Sequence, residues 1–297
     1  MKSRGYWLVL IAACLWGTNG TAQTLAPQGA QPIIIGTLRI ALGGVTLLAI
    51  AALRGALRDG KRWAVLPTLI GALSMAAYQL FFFAGVARTG VAIGTIVGIG
   101  STPILAGPIG FLVRGERPSR RWAIATGLGI IGCALLIAAG ENIHIDLLGI
   151  TLAICAGGSY AIFATVSKGL IEEHAPEAVM AVTFCLGSLF VLPLLIGADL
   201  GWLAQPAGIL VIFHLSVITA AFAYTLFARG LRLVPVATAA TLTLGEPFTA
   251  GLLGVFFLRE TLTTLAVIGI LLIFAGLVFL STEKLQSQPS ITEEGQL

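Results

Sequence analysis

The sequence predicts an all-α integral membrane protein whose ten transmembrane helices form two inverted-topology five-helix repeats. Three observations carry this expectation. Hydrophobic residues make up 57% of the 297-residue chain and charged residues only 10%, against about 45–50% and about 25% in soluble domains. Ten apolar runs each approach the ~20 residues that cross a hydrocarbon core. The second half of the chain also repeats the first at a constant offset of 144 residues, as in Phe83/Phe227, Arg88/Arg232, Pro103/Pro247 and Glu116/Glu260.

Taken in order, the first run covers residues 6–25. Lys2 and Arg4 precede it and imitate a secretory leader, but nine further runs follow, so it reads as a retained first helix. The next three are 33–53, 64–86 and 91–113. The fourth carries Gly94, Gly98, Thr102, Ala106 and Gly110 at four-residue intervals, a ridge of small residues that lets a neighbouring helix approach. The fifth, 121–140, follows Ser119 and closes a first repeat expected over 1–140. Runs 147–168, 178–197, 207–228, 234–258 and 262–281 form the second, expected over 146–285, before a polar tail at 286–297. Ser119 and Thr263 read as helix N-caps, and Glu116 and Glu260 as interfacial structure. Cys14, Cys133, Cys155 and Cys185 lie inside apolar runs with no C-x-x-C and read as buried reduced thiols.

The connecting segments set the orientation. Lys2, Arg4, Arg54, Arg58, Lys61, Arg62, Arg114, Arg117, Arg120, Arg121, Lys168, Arg229, Arg232 and Lys284 fall on one side, and only Arg88 and Arg259 on the other. Basic residues favour the cytoplasmic side, so both termini are expected in the cytoplasm and the chain in the bacterial inner membrane. Each repeat holds an odd number of spans, so the second enters the membrane from the opposite side. Arg88 outside and its counterpart Arg232 inside fit that inversion. Inverted repeats are the architecture of many secondary transporters, with the solute site near mid-membrane between the repeats.

Several function classes are excluded. A net charge of +4 spread over short connections does not signal nucleic acid. No G-x-x-x-x-G-K-[ST] or H-E-x-x-H motif occurs, and His144, His174 and His214 are far apart, so neither a cofactor nor a metal is expected. An intramembrane enzyme would need paired acid and base groups, and Glu246 is the one carboxylate well inside a span.

Trp16-Gly17 in the first span, Arg39 in the second, and a mid-span proline followed by small residues and a glutamate (Pro103 to Glu116, Pro247 to Glu260) together resemble the drug/metabolite transporter superfamily, in its EamA-domain branch. The likeness covers about residues 5–281. Within that family the chain resembles bacterial amino-acid exporters, including those of aromatic amino acids and paraquat. The resemblance implies a central cavity between spans 3, 4, 8 and 9. It also implies export of small organic solutes, most readily amino acids, by alternating access, with the lipid bilayer as surroundings. Drug or metabolite efflux and nucleotide-sugar transport are the alternatives within transport; an intramembrane enzyme or an assembly subunit is the alternative outside it. Oligomeric state and energy coupling are not readable.

Polar groups at bilayer depth normally face protein or a water-filled cavity, which makes them the candidate substrate-binding residues. They are Trp16, Tyr78, Gln79, Gly98, Ser101, Thr102, His214, Tyr224, Thr243 and Glu246, with Pro103 and Pro247 as hinges. Glu246, one turn after Thr243, either meets a substrate ammonium or a coupling proton, or bonds a neighbouring helix beside the Pro247 kink. His214 either titrates near neutral pH or packs through a hydrogen bond. Trp16 and Tyr160 hold equivalent places in the two repeats, as two walls of one cavity or one packing slot used twice. Arg39 either snorkels outward, pairs with a carbonyl, or binds a carboxylate.

Overall fold

The computed structural model describes residues 2–58, 60–139, 146–257 and 263–282. Arg259, Glu260, His144, Lys284 and the 286–297 tail lie outside the described residues. Within them the chain is helical, with no strand. The helices are α1 (Lys2–Thr24), α2 (Pro32–Leu53), α3 (Val65–Thr89), α4 (Val91–Arg114), α5 (Arg120–Ala138), α6 (Leu147–Glu173), α7 (Pro176–Val191), α8 (Pro206–Phe213), α9 (Ala223–Leu231), α10 (Val236–Leu242), α11 (Gly245–Phe256) and α12 (Thr264–Ser281). Their ends follow local chemistry. Ser119 Oγ accepts from Trp122 N–H at 3.1 Å and Thr263 Oγ1 from Ala266 N–H at 3.3 Å, as expected of N-caps. Gly115 stops α4 in the left-handed region at φ 67°, where a side chain would be strained.

Eight helical stretches among the described residues are long and apolar enough to cross a membrane. They include α8 and α9 taken together, because the nine residues between them, His214–Phe222, continue as a π-helix. α1 is not among the eight. Neither are α10 and α11, of 7 and 12 residues, which are too short singly. Large apolar side chains cover the outside, Leu112 at 79% exposure and Phe256 at 80%, a surface matched to lipid rather than water.

Two expectations are corrected here. Lys168 does not flank a helix: α6 continues to Glu173, and Lys168 is buried within it. Cys14 and Cys155 are exposed, whereas Cys133 is buried and all four thiols are free; an apolar run in a bilayer has a lipid-facing side where cysteine is as well tolerated as alanine.

Packing runs across the repeats in mirrored pairs. α1 lies against α9 and α11, and its counterpart α6 against α3 and α4. α2 meets α7, and α5 meets α12, each helix facing its own counterpart. Without a hydrophobic drive between helices in lipid, close approach depends on small residues. A Cβ on Gly132 of α5 would stand 2.6 Å from Gly269 O of α12, and one on Gly269 would stand 2.7 Å from Gly132 O. The two backbones therefore touch where they cross. A Cβ on Gly157 of α6 would likewise stand 2.6 Å from Gly98 O of α4.

Gly132→Val should therefore force α5 and α12 apart, at a cost of about 1–3 kcal/mol typical of overpacking. Its thermal midpoint in detergent is expected to fall clearly below that of Gly127→Val, a glycine with open space around it.

Candidate functional site

A cavity of about 320 Å³ lies between the repeats, within the range of small-molecule sites. Its lining runs from Gln23 and Pro32, at the end of the molecule that holds the α1–α2 connection, down to Trp16, Tyr78 and Glu246. Phe82 and Phe83 of α3 and Ile35 of α2 give it apolar walls, and Arg39 of α2 enters from the side. Below Trp16 a small recess of about 20 Å³ continues inward, lined also by Ile99, Thr102, Tyr160, Tyr224 and Thr243.

The recess sits on the pseudo-two-fold axis. At the 144-residue offset Trp16 pairs with Tyr160, Ile99 with Thr243 and Thr102 with Glu246, and all six line it. The Trp16 and Tyr160 rings meet edge to face at 6.2 Å between centroids. Tyr224 packs on Trp16 at 4.7 Å and on Phe184 at 4.6 Å. Such aromatic clusters are rigid, so the recess has a fixed shape. Trp16 Nε1–H donates to Thr219 O of the π-helical stretch at 2.8 Å, which fixes the indole and leaves its ring face toward the cavity. π-Helical turns are common at functional sites; here one directs a carbonyl and the Thr219 hydroxyl toward α1 and α2.

The span of Pro247 is broken at Thr243–Leu244, between α10 and α11. Thr243 Oγ1–H donates to Ala240 O at 2.7 Å, and Glu246 N–H to Thr243 O at 2.9 Å. This break brings Glu246 to the start of α11, facing both cavity and recess. A Cβ on Gly17 would stand 2.8 Å from Glu246 O, so α1 can approach α11 here only because residue 17 is glycine. α4, in contrast, runs unbroken through Pro103 and Pro108. The two prolines equivalent by repeat thus stand in different local structures.

Of the residues singled out from sequence, Trp16, Tyr78, Gln79, Glu246 and Pro247 line the main cavity, and Thr102, Tyr224 and Thr243 the recess. Gly98, Ser101, Pro103 and His214 line neither. Gly98 and Ser101 belong to the α4–α6 crossing, where Gly98 O accepts from Ser101 Oγ–H at 3.1 Å and Thr102 Oγ1–H at 3.0 Å. His214 Nε2 lies 2.7 Å from Thr18 Oγ1. That hydroxyl already donates to Leu15 O at 2.6 Å, so it accepts from the imidazole and ties α1 to the π-helical stretch. Gln79 spends an amide hydrogen on Gly36 O at 3.0 Å and joins α3 to α2. Asn19 and Gln23, polar at the same depth, also line the cavity, as does Arg39, while Tyr160 lines the recess; of the alternatives weighed from sequence, Arg39 and Tyr160 thus take places in the walls.

Ion pairs hold the opposite end of the molecule. Glu116 Oε1 lies 3.0 Å from Lys168 Nζ and 3.2 Å from Arg114 Nε, and its Oε2 accepts from Val236 N–H, the first residue of α10, at 2.7 Å. Lys168 Nζ also donates to Val234 O at 2.6 Å. Arg114 pairs in addition with Glu172. Beside this network buried Glu177 of α7 accepts from Arg229 of α9 at 2.8 Å and pairs with Arg54 at 3.2 Å. The glutamate read as interfacial structure thus ties α4, α6 and α10 together. At the cavity end, Asp146 caps α6 through Gly149 N–H at 2.8 Å and meets Arg88 Nε at 3.1 Å. These hydrogen bonds, the backbone one foremost, hold its carboxyl below the usual range. The interaction is therefore kept at neutral pH and lost only as pH falls through that lowered value.

A solute-sized cavity between two repeated halves of apolar helices is the geometry of a membrane transporter, and the comparisons agree. Residues 3–138 and 147–282 each match the EamA-like transporter family, and the chain belongs to it. "Uncharacterized transporter YwfM" of Bacillus subtilis (strain 168) is 41% identical over 282 residues, 95% of each chain. "Threonine/homoserine exporter RhtA" of Escherichia coli (strain K12) is 30% identical over 277 residues, 91% of this chain and 88% of the relative. A solved structure described only as a protein crystal structure superposes with a TM-score of 0.81 at 18% identity, covering 94% of this chain and 96% of that one, which establishes the fold.

Glu177→Gln removes the charge that separates Arg229 from Arg54. Both guanidinium groups are partly solvated, so the expected loss is about 1–3 kcal/mol rather than the larger cost of a fully buried pair. A thermal-unfolding series in detergent should show Glu177→Gln below Glu173→Gln, which alters an exposed carboxylate.

Proposed function

We propose that the protein is a secondary transporter of the bacterial inner membrane that exports small organic solutes, most readily amino acids, by alternating access. The observation that carries this reading is the cavity between the repeats, lined from one end of the molecule to its middle while ion pairs tie the other end. Alternating access requires such one-sided exposure of a central site. On this reading α1 and the broken α10–α11 pair also span, for ten spans in all, divided into repeats over 1–140 and 146–285. The basic connections favour a cytoplasmic position for the ion-paired end, and on that reading the cavity faces outward, as after release of an exported solute.

The lining supports a small amphipathic solute. Trp16, Tyr78, Phe82 and Phe83 offer apolar surface, and Thr102, Tyr224, Thr243 and Glu246 offer polar contacts. Among the described residues Arg39 is the single cation of the lining, too few for the anionic groups of a nucleotide sugar. The 30% identity to relatives named as threonine/homoserine exporters points the same way. Pro247, beside the helix break, and Pro103 act as hinges in the two halves. No cofactor is needed.

Purified protein in proteoliposomes preloaded with an unlabelled amino acid should take up the radiolabelled form by saturable counterflow. Absence of counterflow for all twenty overturns the reading. Glu246→Gln should lower the rate at least roughly tenfold, the scale of a lost hydrogen bond to a charged group, while the variant remains monodisperse with an unchanged thermal midpoint. Undiminished flux would reduce Glu246 to a packing residue.

A further inference from the structure

Arg39 and Glu246 enter the same cavity from opposite repeats, one on α2 and one on α11, and both also border the recess. Charges at bilayer depth normally neutralise one another. Among the described residues these two make no ion pair, although each faces the space that the other faces. Arg39 spends only its Nε–H on protein, in a long 3.4 Å bond to Thr219 Oγ1. Its two terminal nitrogens, the fork that matches a carboxylate in bidentate fashion, make no hydrogen bond to a described residue, and Arg39 lines the cavity. The Glu246 carboxylate accepts no hydrogen bond from a described residue. Beside it Asn19 Oδ1 is buried without a partner, in a residue that lines both cavity and recess.

We propose that Arg39 and Glu246 are the two prongs of a clamp for the zwitterionic head of an α-amino acid. The Arg39 guanidinium takes the α-carboxylate, and Glu246 with Asn19 Oδ1 takes the α-ammonium. Elimination leads to the same ligand. A simple cation would meet Glu246 but be repelled by Arg39, a simple anion would do the reverse, and a neutral solute would make a charge-to-charge contact with neither. A solute that carries both charged groups on one carbon, as an α-amino acid does, meets both side chains favourably. The rest of the cavity makes no comparable demand. Trp16 has committed its N–H to Thr219 O and offers only its ring, and Phe82 and Phe83 are apolar, so the clamp reads the head group while the side chain is read by size and polarity alone.

This proposal rests on the transport reading above and names the part of the substrate that the site recognises. Counterflow of radiolabelled L-threonine, or of whichever of the twenty amino acids gives the largest saturable flux, tests it in wild-type protein. The competitors are the unlabelled amino acid, its carboxamide, which lacks the carboxylate, and its N-acetyl derivative, which lacks the ammonium. Each capped analogue should compete at least roughly tenfold more weakly than the free amino acid. Thermal stabilisation by ligand then assigns the prongs. In Arg39→Gln the carboxamide and the free amino acid should stabilise within about twofold of each other in half-saturating concentration, with the N-acetyl penalty kept; in Glu246→Gln the converse should hold. Capped analogues that compete as well as the free amino acid in wild type overturn the clamp and leave transport standing. Variants that keep both penalties at wild-type size also overturn it. No counterflow for any of the twenty overturns the transport reading and the clamp with it.

Discussion

Helix backbones of one half rest directly on helix backbones of the other, and the rest of the molecule depends on that contact. Gly132 against Gly269, Gly157 against Gly98, and Gly17 against the start of α11 each leave no room for a Cβ. In lipid nothing apolar drives helices together, so van der Waals contact at such crossings must hold the halves. The crossings also decide where space remains. Where α1 and α6 press on the opposite repeat with small residues, the larger side chains Trp16 and Tyr160 are directed to the axis and meet there. The recess and the cavity above it are what those aromatic rings do not fill.

Polar groups divide into two populations. One is consumed in joining helices: Trp16 to Thr219 O, Gln79 to Gly36 O, Trp122 Nε1–H to Ala237 O at 3.0 Å, and Thr126 to Thr241 at 2.8 Å. The second, Arg39, Asn19 and Glu246, is left facing the cavity. A buried polar group without a partner is costly, so such groups persist where a ligand or water completes them. The ion pairs at the far end belong to the first population, and in the proposed transport cycle they join helices that must separate. Glu116 holds the first N–H of α10, which a two-residue break at Thr243–Leu244 separates from α11, so the network closes that end around a discontinuous pair of helices.

Much of this was legible in the sequence. Scarcity of charge, the apolar runs and the 144-residue repeat gave the all-helical membrane architecture, and the identical Pro and Glu pairs gave its two-fold plan. Polarity at bilayer depth pointed to Trp16, Tyr78, Thr102, Tyr224, Thr243 and Glu246, which line the cavity or its recess. It could not separate them from His214 and Ser101, because a hydrogen bond made within the helix packing and a side chain facing a cavity look alike in one dimension. Local pattern also could not show that α4 continues through Pro103 while the equivalent span breaks before Pro247; the difference lies in what packs on each. Lys168 was misplaced for a related reason. A lysine near the end of an apolar run reads as a flank, and only the fold shows that Glu116 and Val234 O stand where its ammonium arrives.

The recess on the axis is built from matched positions with unmatched chemistry: indole opposite phenol, isoleucine opposite threonine, threonine opposite carboxylate. In a carrier made of inverted halves, turning from one face to the other exchanges the roles of the two members of each pair. If the members were identical, a solute would meet the same surroundings from either side of the membrane. Here it would meet an acidic and more polar wall of Tyr160, Thr243 and Glu246 from one side and a neutral, more apolar one of Trp16, Ile99 and Thr102 from the other. Detailed balance forbids such a difference from changing where an uncoupled flux comes to rest, but it lets the concentration that half-saturates the carrier differ between the two compartments. Sequence divergence between the halves is thus a means of tuning one site to two different solute supplies.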